Sequence, residues 1–182
     1  MKKLVASGIL IAVALLFHSC DKDNLTAFEF TNDYAAFNIT VTPTTTMGDL
    51  SLGTVEVETD IQELVSDNGV NVDNLKSIKI TGIKLTILDN DPSPYTFDIL
   101  SKVNSRVGST TGGTMVEFAK KDPIPTSGLT TLDLDINDVE LLDYLKKTKF
   151  KFDINGATTD SIDHSFDVKV ELKVKFEGEL IK

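Results

Sequence analysis

Phe166-Asp167-Val168-Lys169-Val170-Glu171-Leu172-Lys173-Val174-Lys175-Phe176 is the stretch that decides the fold class. Six apolar side chains alternate without a break with five charged ones. A period of two puts the first set on one face of a β-strand and the second set on the other. Eleven residues at ~3.3 Å each extend roughly 36 Å. One dry face and one wet face mark an antiparallel strand, because parallel strands are buried on both sides.

The same alternation recurs upstream in shorter pieces. Phe150, Phe152 and Ile154 predict a strand, and Asn155–His164 reads as a polar loop. Leu129–Ile136 and Thr114–Ala119 read as strands, with a flexible Gly108–Gly113 turn before them. Tyr95–Val107 carries both periods: Phe97, Leu100 and Val103 suit a helical turn, while Val103, Ser105 and Val107 suit a strand. Ser77–Leu88 is a long strand whose apolar parity flips at Gly82. Such a flip means either a β-bulge or burial on both faces. Thr54–Thr59 and Ala35–Thr42 complete the set, with a turn at Thr44–Asp49. Two short helices are expected, each opening on a capping box: Asp60 with Glu63, and Asn137 with Glu140. Val72–Leu75 adds a helical turn.

About seven short strands separated by Gly, Pro, Asn, Asp and Thr predict an all-β fold with two helical connections. The architecture expected is an antiparallel two-sheet sandwich, and an immunoglobulin-like outline is one form it could take. The strands are too few and lack the apolar girdles for a transmembrane barrel. No internal repeat stands out.

Composition fits a single globular core, with 41% hydrophobic and 25% charged residues. The formal charge is -10. An acidic chain is a poor match for nucleic acid, whose phosphates call for basic patches, and for electrostatic adhesion to anionic lipid. One cysteine, Cys20, rules out an internal disulfide and a Cys-based zinc site.

That cysteine sits in a telling place. Met1-Lys2-Lys3 is cationic, and Leu4–Phe17 is an apolar run broken only by Ser7 and Gly8. The run is short for a membrane span, which takes ~20 residues, and fits the apolar region of a secretory signal. Leu16-Phe17-His18-Ser19-Cys20 then resembles the bacterial lipobox, in which a small residue precedes an invariant Cys. The resemblance implies cleavage before Cys20 and acylation of that residue, and two or three acyl chains hold a protein firmly at a bilayer. Loss of Lys2 and Lys3 with the leader would take the net charge from -10 to -12.

The organisation expected is therefore a removed signal peptide over 1–19, a lipidated Cys and polar tether over 20–33, and one sandwich domain over 34–182. The whole resembles small Gram-negative lipoproteins, lipid-anchored in the cell envelope, most of all at the outer membrane. Asp21-Lys22-Asp23-Asn24 leaves the periplasmic or surface face open. The function this implies is a non-enzymatic binding or scaffolding module for an envelope protein. A calcium- or glycan-binding adhesin and a small hydrolase are the rivals.

Candidate chemistry is sparse, and no cofactor is expected. Asp89 and Asp91 lie in an acidic loop that could hold a cation, but an EF-hand spacing would put Pro94 where glycine belongs. Asp133, Asp135 and Asn137 fail the same test, with Asp138 at the glycine position. His164 is the one histidine of the expected mature chain, and no G-x-S-x-G elbow accompanies it. Tyr95, beyond two prolines, is the candidate aromatic for a glycan. Asp160-Ser161-Ile162 resembles a short acceptor for O-glycosylation of exported bacterial proteins, which makes Ser161 a candidate modification site.

Overall fold

The structure, a computed structural model, describes residues 25–34 and 36–181. The leader, Cys20 and the start of the tether lie outside the described residues, as does Ala35, expected to open a strand. Ten strands are described: β1 (Leu25–Asp33), β2 (Phe37–Val41), β3 (Gly48–Glu58), β4 (Leu75–Leu88), β5 (Leu100–Gly108), β6 (Val116–Lys121), β7 (Thr131–Asp133), β8 (Asp135–Ile136), β9 (Lys149–Thr158) and β10 (Phe166–Ile181). Two short helices, α1 (Ile61–Asp67) and α2 (Leu142–Leu145), join them, with 3₁₀ turns at Val72–Asn74 and Phe97–Ile99.

One sheet runs β1-β10-β4-β7, with β2 also paired to β10; the other runs β3-β9-β5-β6-β8. Every pairing is antiparallel. The all-β, two-sheet antiparallel sandwich is thus the architecture of the chain.

β10 organises the first sheet. Phe166, Val168, Val170, Leu172, Val174 and Phe176 are all buried between the sheets. Its far end continues the ladder to Ile181, opposite Leu25. Here the expected boundary at residue 34 is corrected. Leu25–Asp33, assigned to a polar tether, is the first strand of the domain. Phe28 and Phe30 point inward from it, and the Phe30 ring stacks on Phe176 at 4.9 Å. Two phenylalanines set among polar residues form too short an alternation to stand out from a tether.

β1 and β2 are one strand with a bulge. Asp33 pairs with Lys173 and Phe37 with Val170, so one extra residue is accommodated between them. Tyr34 sits at this bend, buried, with its ring edge-on to Phe150 and its hydroxyl donating to the Glu58 carbonyl of the other sheet. β7 and β8 are likewise one run that changes sheet at Leu134: Leu132 pairs with Leu85 of β4, while Ile136 pairs with Ala119 of β6.

Counting each broken strand once gives eight, in orders 1-8-3-6 and 2-7-4-5. That is the path of a jelly roll, not the immunoglobulin outline, in which three-strand and four-strand sheets meet. Its connections alternate between two ends. Residues 42–47, 89–99, 122–130 and 159–165 close one end; 59–74, 109–115 and 137–148 close the other.

The parity flip in β4 is a bulge. Lys173 faces Gly82 and Val174 faces Ile80, so Thr81 is the extra residue. Ile78 and Ile80 before it, and Ile83, Leu85 and Ile87 after it, then bury on the same side. Other boundaries move. The predicted Asn155–His164 loop loses its first part to β9, which runs to Thr158, where it pairs with Gly48 of β3 and Leu100 of β5. Tyr95–Val107 divides at Leu100 into a 3₁₀ turn and a strand. β3 starts at Gly48, inside the predicted turn.

Neither capping box forms as expected. Asp60 makes no side-chain cap bond at α1. α2 starts at Leu142, and Glu140 Oε1 accepts from the N–H of Leu142 at 2.9 Å and of Ile78 at 2.8 Å. Glu140 thereby closes the edge of β4 that the short β7 leaves uncovered.

Candidate functional site

The end closed by 42–47, 89–99, 122–130 and 159–165 gathers the polar candidates. Each lies where a strand stops. After Leu88 the chain turns on Asp89, whose side chain is only 3% exposed. Its Oδ1 accepts from the N–H of Asp91 at 3.0 Å and its Oδ2 from the N–H of Tyr95 at 2.8 Å. A short carboxylate substitutes here for backbone partners, as Asp does in turns. Asp91 repeats the device on Ser93 at 2.9 Å. Pro92 and Pro94 bring no N–H to satisfy.

The β9–β10 connection packs onto this loop. Thr44 and Ile162 form an isolated antiparallel bridge, and Ile162 is buried. The N–H of Asp163 donates to the Tyr95 hydroxyl. His164 Nε2 lies 3.1 and 3.2 Å from the two Asp89 oxygens. Its ring stacks on Tyr95, with centroids 4.5 Å apart and planes at 19°. Tyr95 also leans on Phe166 at 5.1 Å. The remaining connections are tied in as well. Asp98 Oδ1 accepts from the N–H groups of Ser127 at 3.2 Å and Gly128 at 3.0 Å, and Thr159 N–H donates to the Ile99 carbonyl at 2.8 Å.

Asp89, Asp91, Tyr95, Ser161 and His164 thus share one end of the sandwich, although two separate loops supply them. Nothing in their spacing predicted that meeting; the β4–β10 register produces it by placing Leu88 opposite Asp167. A shallow groove of about 440 Å³ runs beside them, bordered by Thr40, Asp91, His164 and Asp167.

The geometry limits the chemistry. Hydrogen bonds from the N–H groups of Tyr95 and Asp91 hold the Asp89 carboxyl below its ordinary value of 3.8, against the opposing effect of burial, and His164 adds to them. Both Asp89 oxygens are committed to the loop. Among the described residues no group of three or more His, Cys, Asp or Glu side chains is placed to hold a metal. Ser161 Oγ donates to Asp163 Oδ1 at 3.0 Å, so this serine, the imidazole and Asp89 do not form a relay. Tyr95 is packed between neighbours instead of standing out as a platform. Asp133 and Asp135 lie exposed on strands of different sheets, and Asp135 pairs with Lys121 at 3.1 Å. Cys20 lies outside the described residues.

No family model matches the chain, and no curated protein matches it in sequence. Solved structures that resemble it include several from viruses. The capsid of Helicobacter pylori bacteriophage KHP30 aligns over 85% of this chain and 100% of its own at 11% identity and a TM-score of 0.31. Desmodium yellow mottle tymovirus aligns over 100% and 97%, at 11% identity and a TM-score of 0.27. The nodavirus of the giant freshwater prawn Macrobrachium rosenbergii aligns over 99% and 96%, at 10% identity and a TM-score of 0.36. At these scores the likeness says nothing further about this chain.

Proposed function

We propose that this protein is an envelope lipoprotein, held at a membrane by acylated Cys20, that presents the far end of its sandwich to another envelope protein as a non-enzymatic binding or scaffolding module. The observation that carries the reading is the placement of the first strand. Leu25 lies opposite Ile181, at the end of β10 remote from Phe166. Four residues, Asp21 to Asn24, separate it from Cys20, so that end stays within about 17 Å of an anchored cysteine even if the segment is fully extended. β10 has 16 residues and rises ~3.3 Å per residue. The end bearing Asp89, Tyr95 and His164 then lies at the other end of a strand roughly 50 Å long, which is the farthest it can stand beyond the anchored end.

Such a layout suits presentation. The outer loops are pinned to one another by hydrogen bonds, and a pre-ordered surface loses little freedom when it binds. The test is intact mass and membrane partitioning of the native protein beside Cys20→Ser. A diacylglyceryl mass on the wild type, lost together with the membrane in the variant, supports the anchor. A soluble, unmodified wild type cut elsewhere would overturn it.

A further inference from the structure

The outer face of the second sheet carries two polar rows that cross four strands. Register places Ser51, Asn155, Asn104 and Lys120 side by side, one on each of β3, β9, β5 and β6. The row behind is Thr54, Asp153, Arg106 and Glu117 on the same four strands. Residues in register share a face, and neighbouring strands lie ~4.8 Å apart, so each row spans about 14 Å.

The two carboxylates of the rear row are held by neighbouring donors. Asp153, whose side chain is 7% exposed, accepts from Arg106 Nε at 3.1 Å, Thr54 Oγ1 at 3.3 Å and Asn155 Nδ2 at 3.1 Å. Glu117 accepts from Asn104 Nδ2 at 2.6 Å and from Asn137 Nδ2 at 3.4 Å. These bonds fix the two front amides. Only an NH₂ group can face a carboxylate, so Asn104 and Asn155 are each held with the amide nitrogen toward the rear row. The oxygen and the second N–H of each amide have no other partner among the described residues.

A groove of about 560 Å³ lies over the front row. That volume is in the range of small-molecule sites. Its rim balances Lys102, Arg106 and Lys120 against Asp49, Glu117 and Asp122. A balanced rim carries no net charge to favour a phosphate or a metal ion. Two parallel amides, each holding out one acceptor and one donor, match neighbouring hydroxyl groups, which both give and take a hydrogen bond. A peptide would pair with a sheet edge through its backbone, and this groove lies on a face. We infer that the groove is a binding site for a neutral, polyhydroxylated ligand, a short stretch of uncharged glycan, with Asn104 and Asn155 as the residues that read it. The site adds a ligand to the binding module proposed above and rests on that reading only for its setting.

The experiment is titration calorimetry and NMR on the purified full-length chain in detergent, with cello-, malto-, xylo- and fully N-acetylated chitohexaose as probes. At least one probe should bind and shift the side-chain amide signals of Asn104 and Asn155. Asn104→Ala and Asn155→Ala should each weaken it at least 10-fold. Lys120→Ala, at an exposed side chain with no hydrogen bond or ion pair among the described residues, should weaken it a few-fold with the melting temperature unchanged. Salt from 0.05 to 0.5 M should barely matter. No binding by any probe overturns the inference, as does binding that survives the double alanine variant. Binding that falls steeply with salt, or that is displaced by an unstructured peptide, also overturns it. Membrane partitioning of the same preparation reports on the anchor separately, so the two readings fail independently.

Discussion

Asp89 shows how a candidate ligand becomes a structural residue. Its carboxylate takes two backbone N–H groups and an imidazole and leaves no oxygen idle. A carboxyl held below its ordinary value contributes stability that is complete above that value and lost as pH falls through the folded one. Below about pH 4 the wild type should therefore lose stability that Asp89→Asn has already given up at neutral pH. Thermal melts of the two proteins from pH 2 to pH 7 should converge at the acid end; parallel curves would refute the role. Glu140 behaves alike. Partial burial pushes its carboxyl up, but the neighbouring Ser77 hydroxyl and the N–H groups of Ile78, Leu142 and Leu141 together outweigh that and hold it below 4.5. Glu140→Leu should cost about 1–2 kcal/mol in urea unfolding at pH 7.

Tyr34 gives the opposite sign at the other end of the scale. Burial raises its phenol from 10.0 to about 12, and the charge of Asp60 adds to the effect. A raised acid pKa stabilises fully below the unfolded value and fades as pH climbs through the folded one, here between pH 10 and about 12. Tyr34→Phe should lose the bond to Glu58, about 1 kcal/mol, and should also lack this alkaline decline. Denaturation curves at pH 8 and pH 11 separate the two effects.

Among elements, the long strands were legible and the broken ones were not. β10 was plain because a strand with one wet face must alternate, and six apolar positions in step leave no other reading. The bulge in β4 was legible as a flip of parity at Gly82, and only the partner's register decides between a bulge and double burial. β1 escaped because Phe28 and Phe30 are a pair, not a series. β7 and β8 read as one strand because alternation is preserved through Leu134 while the partner changes. A sequence records which face a residue takes, not which sheet. The loop candidates were found one by one from composition, and their convergence needed the register. Deleting Thr81 tests the bulge. Without the extra residue, Ile80 opposite Val174 and Gly82 opposite Lys173 become consecutive in a regular ladder, so Ile78 and Ile80 keep the inner face and the variant should still fold cooperatively in a urea melt; loss of cooperativity would refute the assignment of Thr81 as the bulge residue.

At the scale of the molecule, the two ends of the sandwich differ in kind. One carries α1, α2 and the first and last residues described; the other carries four connections laced together by side-chain and main-chain bonds. Hydrogen exchange should show the amides of Tyr95, Ser127, Gly128, Thr159 and Ile162 protected well above those of the 109–115 turn. If those loops exchange at turn-like rates, the outer surface is not pre-ordered and the presentation argument falls.

The position of β10 also bears on how the chain reaches this state. It lies between the first strand and β4, yet it is the last strand in the sequence. Until its residues are present, β1 has no neighbour and β4 lacks its main partner, so a growing or threading chain cannot complete the first sheet piecemeal. Pairings between such distant segments demand large loop closures before they repay them, and folding should be slow, on the millisecond-to-second scale. A chain built this way cannot close its first sheet until β10 has followed all the strands it joins.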